Sequence, residues 1–253
     1  MEKSMKKIVV IISALSLVLI QDFTATVLAA KQNSATVSQK QTTFKTSTKR
    51  GGTPRKGTAG GGSRPGQEAC LSHQSIKSGK LIALAPSDSM GFTEKERPNF
   101  FVSLPQTSAK MAEFSLFDEK MNGVYQSHIP VNTPGLQSIH LASNTKALIK
   151  NKPYYWTYAL ICNEGDRTQD WVVGGWIERR EFSQGLQKKL SSASGVKLVS
   201  LYAQNGFWYE ALSTLVKVQK SKDNNHTLDG IWKILLNSAG INETTLIVNG
   251  KET

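Results

Sequence analysis

The sequence predicts an α+β protein in which an antiparallel β-sandwich of about seven strands precedes a C-terminal α-helical hairpin. Two observations lead to this prediction. Between residues 81 and 180 the chain breaks into short apolar runs separated by turn residues, and after Arg180 the apolar residues recur every three or four positions. A period of two is typical of strands, and a period of three to four is typical of helices. Strands and helices in separate blocks indicate the α+β class.

Residues 1–30 have the pattern of a secretory signal peptide. MEKSMKK carries three lysines, and thirteen uncharged residues, Ile8–Ile20, follow it closely. This run is shorter than the roughly 20 apolar residues that a membrane-spanning helix needs, so a cleaved signal is favoured over a retained anchor. The small residues of VLAA predict cleavage after Ala29 or Ala30. We therefore expect an exported chain without a transmembrane span, located in the periplasm, the cell envelope or the extracellular medium.

Residues 31–67 are predicted to be a disordered basic linker. They contain eight basic residues and no acidic one, whereas residues 68–253 carry only +3 of the formal net charge of +12. Val37 and Phe44 are their only large apolar side chains, so burial cannot offset the ordering entropy. The glycine run within TPRKGTAGGGSRPG is not a phosphate-binding loop, because no apolar strand precedes it and its lysine comes before the glycines.

The charge of this linker makes it a candidate for contact with polyanions. Cations outside the cytoplasm attract acidic envelope polymers and anionic lipid surfaces. Passive spacing is the alternative interpretation, and no feature indicates specific binding of nucleic acid. The candidate polyanion-binding residues are Lys45, Lys49, Arg50, Arg55, Lys56 and Arg64.

Residues 68–182 form the predicted β-sandwich domain. In the third apolar run Ala112, Phe114 and Leu116 alternate with Glu113 and Ser115, which is the strand signature. Turn residues join the runs without a helical crossover, and this favours antiparallel pairing. The seven runs are LIALAP (81–86), NFFVSLP (99–105), MAEFSLFD (111–118), GVYQSHIP (123–130), GLQSIHLA (135–142), YYWTYALIC (154–162) and WVVGGWIERR (171–180).

Residues 183–253 are predicted to be helical and to pack on the sandwich. Ser194 begins one helix that Asn205-Gly206 closes, a second starts near Trp208, and a third spans 228–241 and ends near Gly240. The spacing in LYAQNGFWYEALSTLVKV is similar to a tetratricopeptide unit. Such arrays need about three units to bury a core, so a docked hairpin is favoured over a peptide-binding groove.

Cys70 and Cys162 are the only cysteines. In an exported chain such a pair is usually a disulfide, and closing a loop of about 90 residues would stabilise the fold by roughly 4 to 5 kcal/mol. A nucleophilic Cys162 is the disfavoured alternative, because the sequence offers no base beside it.

Two histidines are weak candidates for a metal site. His128 and His140 lie on consecutive predicted strands around the turn VNTPG (131–135). A hairpin centred there would place both on one face together with Gln126 and Ser138. Two histidines without a third ligand make a weak zinc or copper site, so a solvated sheet face is the favoured interpretation.

The loop NEGDRTQD (163–170) is a second weak metal candidate. Glu164, Asp166 and Asp170 offer oxygen ligands of the kind that calcium prefers, but their spacing is not that of an EF-hand. The favoured interpretation is a hairpin turn in which Asp166 bonds to backbone and Arg167 pairs with a carboxylate.

The sequence contains none of the common catalytic motifs. G-x-S-x-G, H-E-x-x-H and S-x-x-K with its partners are missing, and the carboxylates are too scattered to indicate a glycosidase pair. A non-enzymatic protein without a cofactor is therefore favoured over an enzyme. The five tryptophans suggest a sugar-stacking platform, although core packing is the favoured role.

The ordered motifs resemble a family of secreted cyanobacterial proteins grouped as a domain of unknown function, number nine hundred and twenty-eight. The resemblance runs from about Cys70 to Ile241, and its most specific parts are the run from Tyr154 to Arg179 and Tyr-Ala-x-x-Gly-x-Trp-Tyr at 202–209. It implies a place in the cell envelope. It carries over no activity and no catalytic residues.

Together these observations predict an exported cell-envelope protein of unknown function, in which a cationic tether accompanies a non-enzymatic interaction or scaffold role. The expected partners are an acidic polymer or anionic lipid surface for the linker, and a protein for the folded body. The alternative is a carbohydrate- or metal-binding envelope module, which either only binds its ligand or also hydrolyses it.

Overall fold

The computed structural model describes residues 42–45, 70, 80–131, 133–221, 226–241, 247–248 and 251–252. Within these residues strands come first, helices follow, and a two-stranded ribbon lies near the C-terminus. The predicted α+β class is therefore confirmed. The strands are β1 (Ile82–Ala83), β2 (Gly91–Thr93), β3 (Asn99–Leu104), β4 (Met111–Phe117), β5 (Gly123–Pro130), β6 (Gly135–His140), β7 (Pro153–Leu160), β8 (Trp171–Arg179), β9 (Ile247–Val248) and β10 (Lys251–Glu252).

The strands form a three-stranded sheet in the order β1-β3-β6 and a five-stranded sheet in the order β2-β8-β7-β4-β5, while β9 pairs with β10. Each of the seven predicted apolar runs contains a strand. The prediction of purely antiparallel pairing is wrong at one place, because β2 pairs with β8 in parallel, from Gly91 opposite Ile177 to Thr93 opposite Arg179. A parallel pair needs a long connection, and here β3 to β7 lie between the two strands.

The two sheets contact each other through aromatic side chains. Phe100 of β3 lies with its ring centroid 4.9 Å from that of Phe114 on β4 and 5.3 Å from that of Trp156 on β7. On β4, Ala112, Phe114 and Leu116 are buried, as their alternation predicted. The face of the five-stranded sheet that carries these residues is its inner face, and the opposite face is called the outer face below.

The helical region holds more helix than the predicted hairpin. Its helices are α1 (Gln184–Leu190), α2 (Gly195–Gln204), α3 (Trp208–Lys220) and α4 (His226–Ser238). The last three match the predicted segments, and Gly206 and Gly240, with φ of 80° and 74°, follow α2 and α4 as expected of C-terminal glycines. Helix α1 was not predicted; Ser183 caps it by accepting a hydrogen bond from the Leu186 amide.

Helix α3 packs directly on the sheets. The indole of Trp208 donates to the carbonyl of Leu84 at 2.8 Å. A Cβ atom at Gly91 would lie only 2.9 Å from the Tyr209 ring and 3.0 Å from Cβ of Trp208, so the close approach of β2 to α3 requires glycine there. All five tryptophans are buried, which confirms their core role and removes the sugar-stacking platform. They are Trp156, Trp171, Trp176, Trp208 and Trp232.

Residues 42–45 correct the predicted extent of the linker. Phe44 is buried and lies edge-on to Trp208 with ring centroids 5.0 Å apart. Its amide donates to Ser238 Oγ at 2.8 Å, and the amide of Lys45 donates to the carbonyl of Ala203 at 3.0 Å. The buried Phe44 and Thr42, together with these hydrogen bonds, hold the four residues on the helical region. The other residues of 31–67 and the predicted signal peptide lie outside the described residues.

In the described part of the chain, no helix combines the length and the apolar character that crossing a membrane demands. The described residues all belong to one compact unit, Gln41–Thr253.

Candidate functional site

The loop between β7 and β8 is held by its own side chains. Asp166 caps a short 3-10 helix, Arg167–Gln169: its Oδ1 accepts from the amide of Thr168 at 3.1 Å and its Oδ2 accepts from Gln169 Nε2 at 2.8 Å. The hydrogen bonds from Thr168 and Gln169 lower the pKa of Asp166. This is the arrangement that the hairpin-turn interpretation expects. Glu164 is exposed on the same loop.

Arg167 connects this loop to strand β4. Its Nε donates to Asp170 Oδ2 at 2.5 Å, and both of its terminal nitrogens lie 3.4 Å from Glu113 Oε2. The hydrogen bond to Asp170 is the main reason why the pKa of Arg167 is raised. The other oxygen of Asp170 accepts from the amide of Cys162 at 3.3 Å. The guanidinium therefore lies between two carboxylates from different elements.

His128 extends this row of charges to the edge of the sheet. It lies opposite Glu113 in the β4–β5 register, with Nε2 3.8 Å from Glu113 Oε2. Its side chain is 57% exposed. We call Asp170, Arg167, Glu113 and His128 the Arg167 network; it crosses the outer face from the 163–170 loop to β5.

The two carboxylates of the Arg167 network already have a cationic partner. Asp170 and Glu113 already pair with the guanidinium, so a metal ion would have to displace a bonded cation. Within the ranges that the structure describes, no group of three or more His, Cys, Asp or Glu side chains is placed to hold a metal ion. Sequence reasoning nominated Asp170 and His128 but missed Glu113, which is one polar residue in an alternating strand with no motif around it.

The predicted histidine hairpin is wrong. His140 lies on β6 in the three-stranded sheet, and its Nδ1 is 2.7 Å from Asn99 Oδ1. The amide of Val131 still bonds to Lys110 beyond the end of β5, but Gly135 already pairs with Leu104 of β3. The turn around residues 131–135 therefore carries the chain from one sheet to the other. His128 and His140 consequently share neither a sheet nor a face, nor do Gln126 and Ser138.

The two cysteines form a disulfide whose Cα atoms are 4.7 Å apart. The carbonyl of Cys70 also accepts from Thr107 Oγ1 at 2.7 Å and from the amide of Ser108 at 3.1 Å. Residue 70 is thus held beside the end of β7 by a covalent bond and two hydrogen bonds.

Glu210 is a buried carboxyl that sequence reasoning did not single out. Its Oε1 accepts from Thr93 Oγ1 at 2.7 Å and from the amide of Glu94 at 3.1 Å, which ties α3 to β2. Its Oε2 is buried and has no hydrogen-bond partner in the described part of the chain. Burial raises the pKa of Glu210 above its ordinary value. Since it is only 5% exposed, Glu210 serves as a joint between sheet and helix.

Of the candidate polyanion-binding residues, the structure describes Lys45, which is exposed beside the buried Phe44. Lys49, Arg50, Arg55, Lys56 and Arg64 lie outside the described residues.

Comparison with known proteins gives a family without an assigned activity. No curated protein and no solved structure matches the chain. One family model matches residues 59–246, which cover the basic residue Arg64, both cysteines, both sheets and all four helices described above. The chain belongs to the family described as Domain of Unknown Function (DUF928).

Proposed function

We propose that the protein is exported to the cell envelope and acts there as a non-enzymatic interaction protein, which contacts acidic polymers or anionic lipid through the basic residues of 31–67. The observation that carries this proposal is the separation of charge. Eight basic residues and no acidic one lie within 31–67, whereas the remaining 186 residues of 68–253 are close to neutral, with a net charge of +3.

The two attachments of this basic segment support a binding role over passive spacing. Phe44 is buried against Trp208, and Cys70 is bonded to Cys162. Five of the candidate cations lie between these two points in the sequence, namely Lys49, Arg50, Arg55, Lys56 and Arg64. A spacer needs one attachment to the folded body, whereas this segment is bounded by two.

The chemistry of such a segment favours extended anions. Several lysines and arginines in close sequence attract a polyanion by long-range electrostatics, and salt screens this attraction over about 10 Å at 0.1 M. The interaction therefore depends on the number of charges more than on any single residue. Acidic envelope polysaccharide and anionic lipid headgroups both provide repeated negative charge.

Two features support export. Residues 1–30 have the order of a signal peptide: basic residues, an apolar run and a small-residue cleavage site. A disulfide is typical of proteins in oxidising compartments, and Cys70 and Cys162 form one.

The test compares two variants that lose the same number of positive charges. In the first, Lys49, Arg50, Arg55, Lys56 and Arg64 are replaced by glutamine. In the control, five exposed helical lysines are replaced instead: Lys188, Lys189, Lys197, Lys217 and Lys220. Binding is measured by co-sedimentation with phosphatidylglycerol vesicles and, separately, with an acidic polysaccharide, each at low and high salt.

We expect the first variant to lose binding by about tenfold or more and the control to keep most of it, with binding of the native protein falling steeply as salt rises. The arm that binds identifies lipid or polysaccharide as the anion. Equal loss in both variants would show that only net charge matters and would reject a role for the basic segment. Mass analysis of the secreted protein tests cleavage near Ala29 or Ala30 in the same preparation.

A further inference from the structure

Strand β5 forms one edge of the five-stranded sheet, because β4 is the only strand that pairs with it in the part of the chain that the structure describes. It is eight residues long. The opposite edge is different: β2 has three residues, and the amide of Phe92 there donates to the carbonyl of Gly206. The long edge is therefore on the β5 side.

The backbone bonds show which residues of β5 face outward. The amide of Val131 donates to the carbonyl of Lys110 on the β4 side at 2.9 Å. Bonded residues alternate along an antiparallel ladder, so Ile129, Ser127 and Tyr125 continue the bonding to β4. Gln126 and His128 therefore direct their N–H and C=O groups away from the sheet. Consistently, the carbonyl of Pro130 accepts a side-chain bond from Gln137.

Beyond a bulge near its start, this edge lacks the usual protection against pairing. Proteins guard exposed edges with charged side chains, especially lysine, or with proline and bulges. GVYQSHIP contains no Lys, Arg, Asp or Glu, and its one proline is the last residue of the strand. A register shift lies near the start of β5, where Leu116 pairs with Tyr125 and Phe117 with Gly123, so that Val124 is an extra residue on β5. From Tyr125 to Pro130 the strand pairs regularly with β4.

We propose that two copies of the chain pair through β5, antiparallel and related by a two-fold axis at Gln126. The two-fold axis places the central residue opposite its own copy, so a charge on that residue would be repelled by the same charge on the second copy. The uncharged strand avoids this repulsion. A different partner would impose no such requirement, and for this reason the composition of β5 favours a second copy.

Gln126 is suited to the axis. It lies near the middle of β5 and is exposed. Its amide is both donor and acceptor, so two copies can bond to each other without a charge. In this register Val124 lies opposite His128 of the second copy. The two facing Gln126 residues then exchange two backbone hydrogen bonds, since a bonded pair in an antiparallel ladder exchanges two.

The same register covers an exposed apolar side chain. Met121, in the turn before β5, is 53% exposed and has a positive φ of 65°. With Gln126 on the axis, the turn that holds Met121 lies toward the C-terminal end of β5 in the second copy. The paired sheets form one ten-stranded sheet, in which the two Arg167 networks lie on the same outer face. An edge contact of this kind belongs with interfaces below about 1,200 Å², which are weak and concentration-dependent.

The test measures the dimerisation constant of the full, disulfide-bonded chain by sedimentation equilibrium. Gln126→Lys and Gln126→Glu each place like charges opposite each other at the axis. Gln106→Lys, at an exposed loop position, is the matched control. We expect each axis variant alone to dimerise at least about tenfold more weakly, whereas an equimolar mixture of the two recovers dimerisation because opposite charges then meet.

Each outcome decides a part of the proposal. A native chain that stays monomeric at concentrations up to roughly several hundred micromolar overturns the proposal. Equal dimerisation of the native chain and both axis variants places the interface elsewhere. Weakening in each variant without recovery in the mixture overturns the register at Gln126. Self-pairing uses none of the residues 31–67, so this result is independent of polyanion binding.

Discussion

The indole Nε1 of Trp156 donates a hydrogen bond of 2.8 Å to the hydroxyl of Tyr209, deep in the protein where both side chains are fully buried. The same hydroxyl donates to the backbone carbonyl of Trp176 at 3.2 Å. One oxygen thus joins β7, β8 and α3. Burial raises the pKa of Tyr209, so the hydroxyl remains protonated and able to donate.

Replacing Tyr209 with phenylalanine is therefore expected to destabilise the protein. The ring stays, but the Trp156 indole and the Trp176 carbonyl both lose their partner, and an unsatisfied buried group costs about 1–3 kcal/mol. Urea unfolding followed by tryptophan fluorescence measures the loss. The control is Tyr125→Phe, at a half-buried position on the edge strand β5. It should lower the free energy of unfolding by less than about 0.5 kcal/mol. Equal effects of the two changes would mean that the hydrogen bonds of Tyr209 contribute little.

Replacing Phe44 with alanine tests whether residues 42–45 are docked as described. The side chain is buried against Trp208, and the loss of a buried phenylalanine costs about 3–5 kcal/mol. We expect a value near the lower end, about 3 kcal/mol, because a docked segment can shift to relieve the cavity. Thr43→Ala changes the exposed neighbour and should be neutral. A neutral Phe44→Ala variant would reject the docked position.

Glu210 is expected to make stability depend on pH. Because its pKa is raised in the folded state, the folded protein holds a proton that the unfolded chain has lost, in the window that starts at the ordinary pKa of 4.5. Stability therefore falls as pH rises through this window. Glu210→Gln removes the ionisation and keeps an oxygen for Thr93 and Glu94. The variant should be more stable than the native protein at about pH 8, and the difference should vanish near pH 4.

The control for this pH dependence is Glu119→Gln, at an exposed position in the turn between β4 and β5. Its stability should follow the native profile at each pH. Urea unfolding at a series of pH values gives both comparisons. A Glu210→Gln variant that is less stable than the native protein at about pH 8 would show that the carboxylate is stabilising when charged.

The strands of this fold are readable from the sequence because each one contains several apolar residues in an alternating or continuous run. β2 was missed, since Gly91-Phe92-Thr93 is too short to show a period and pairs with a strand far along the chain. α1 was missed because Leu186 is its only buried residue.

The partner of each strand was less predictable than the strand itself. Thr133-Pro134-Gly135 has the composition of a hairpin turn, yet it carries the chain between sheets. The choice depends on burial: Ile139 of β6 is buried opposite the buried Phe100 of β3. Side-chain periodicity along one segment does not contain that information.

Only some contacts of the polar sites could be predicted, for the same reason. Asp166 and Asp170 lie in one loop, so their local bonds follow from sequence spacing. Glu113 and Arg167 are 54 positions apart and meet only because β4 pairs with β7. Glu210 meets Thr93 across 117 positions. Contacts of this separation depend on the tertiary fold, which no local pattern specifies.

The bond between the Phe44 amide and Ser238 Oγ has a consequence for the order of events during synthesis. The two residues are 194 positions apart, so the ribosome must produce nearly the whole chain before this contact can exist. Contacts of such long sequence separation form late and slow the completion of folding. If the chain crosses a membrane N-terminus first, Phe44 crosses before Ser238 is there to bond to it. The fold would then close only after the last described helix had crossed.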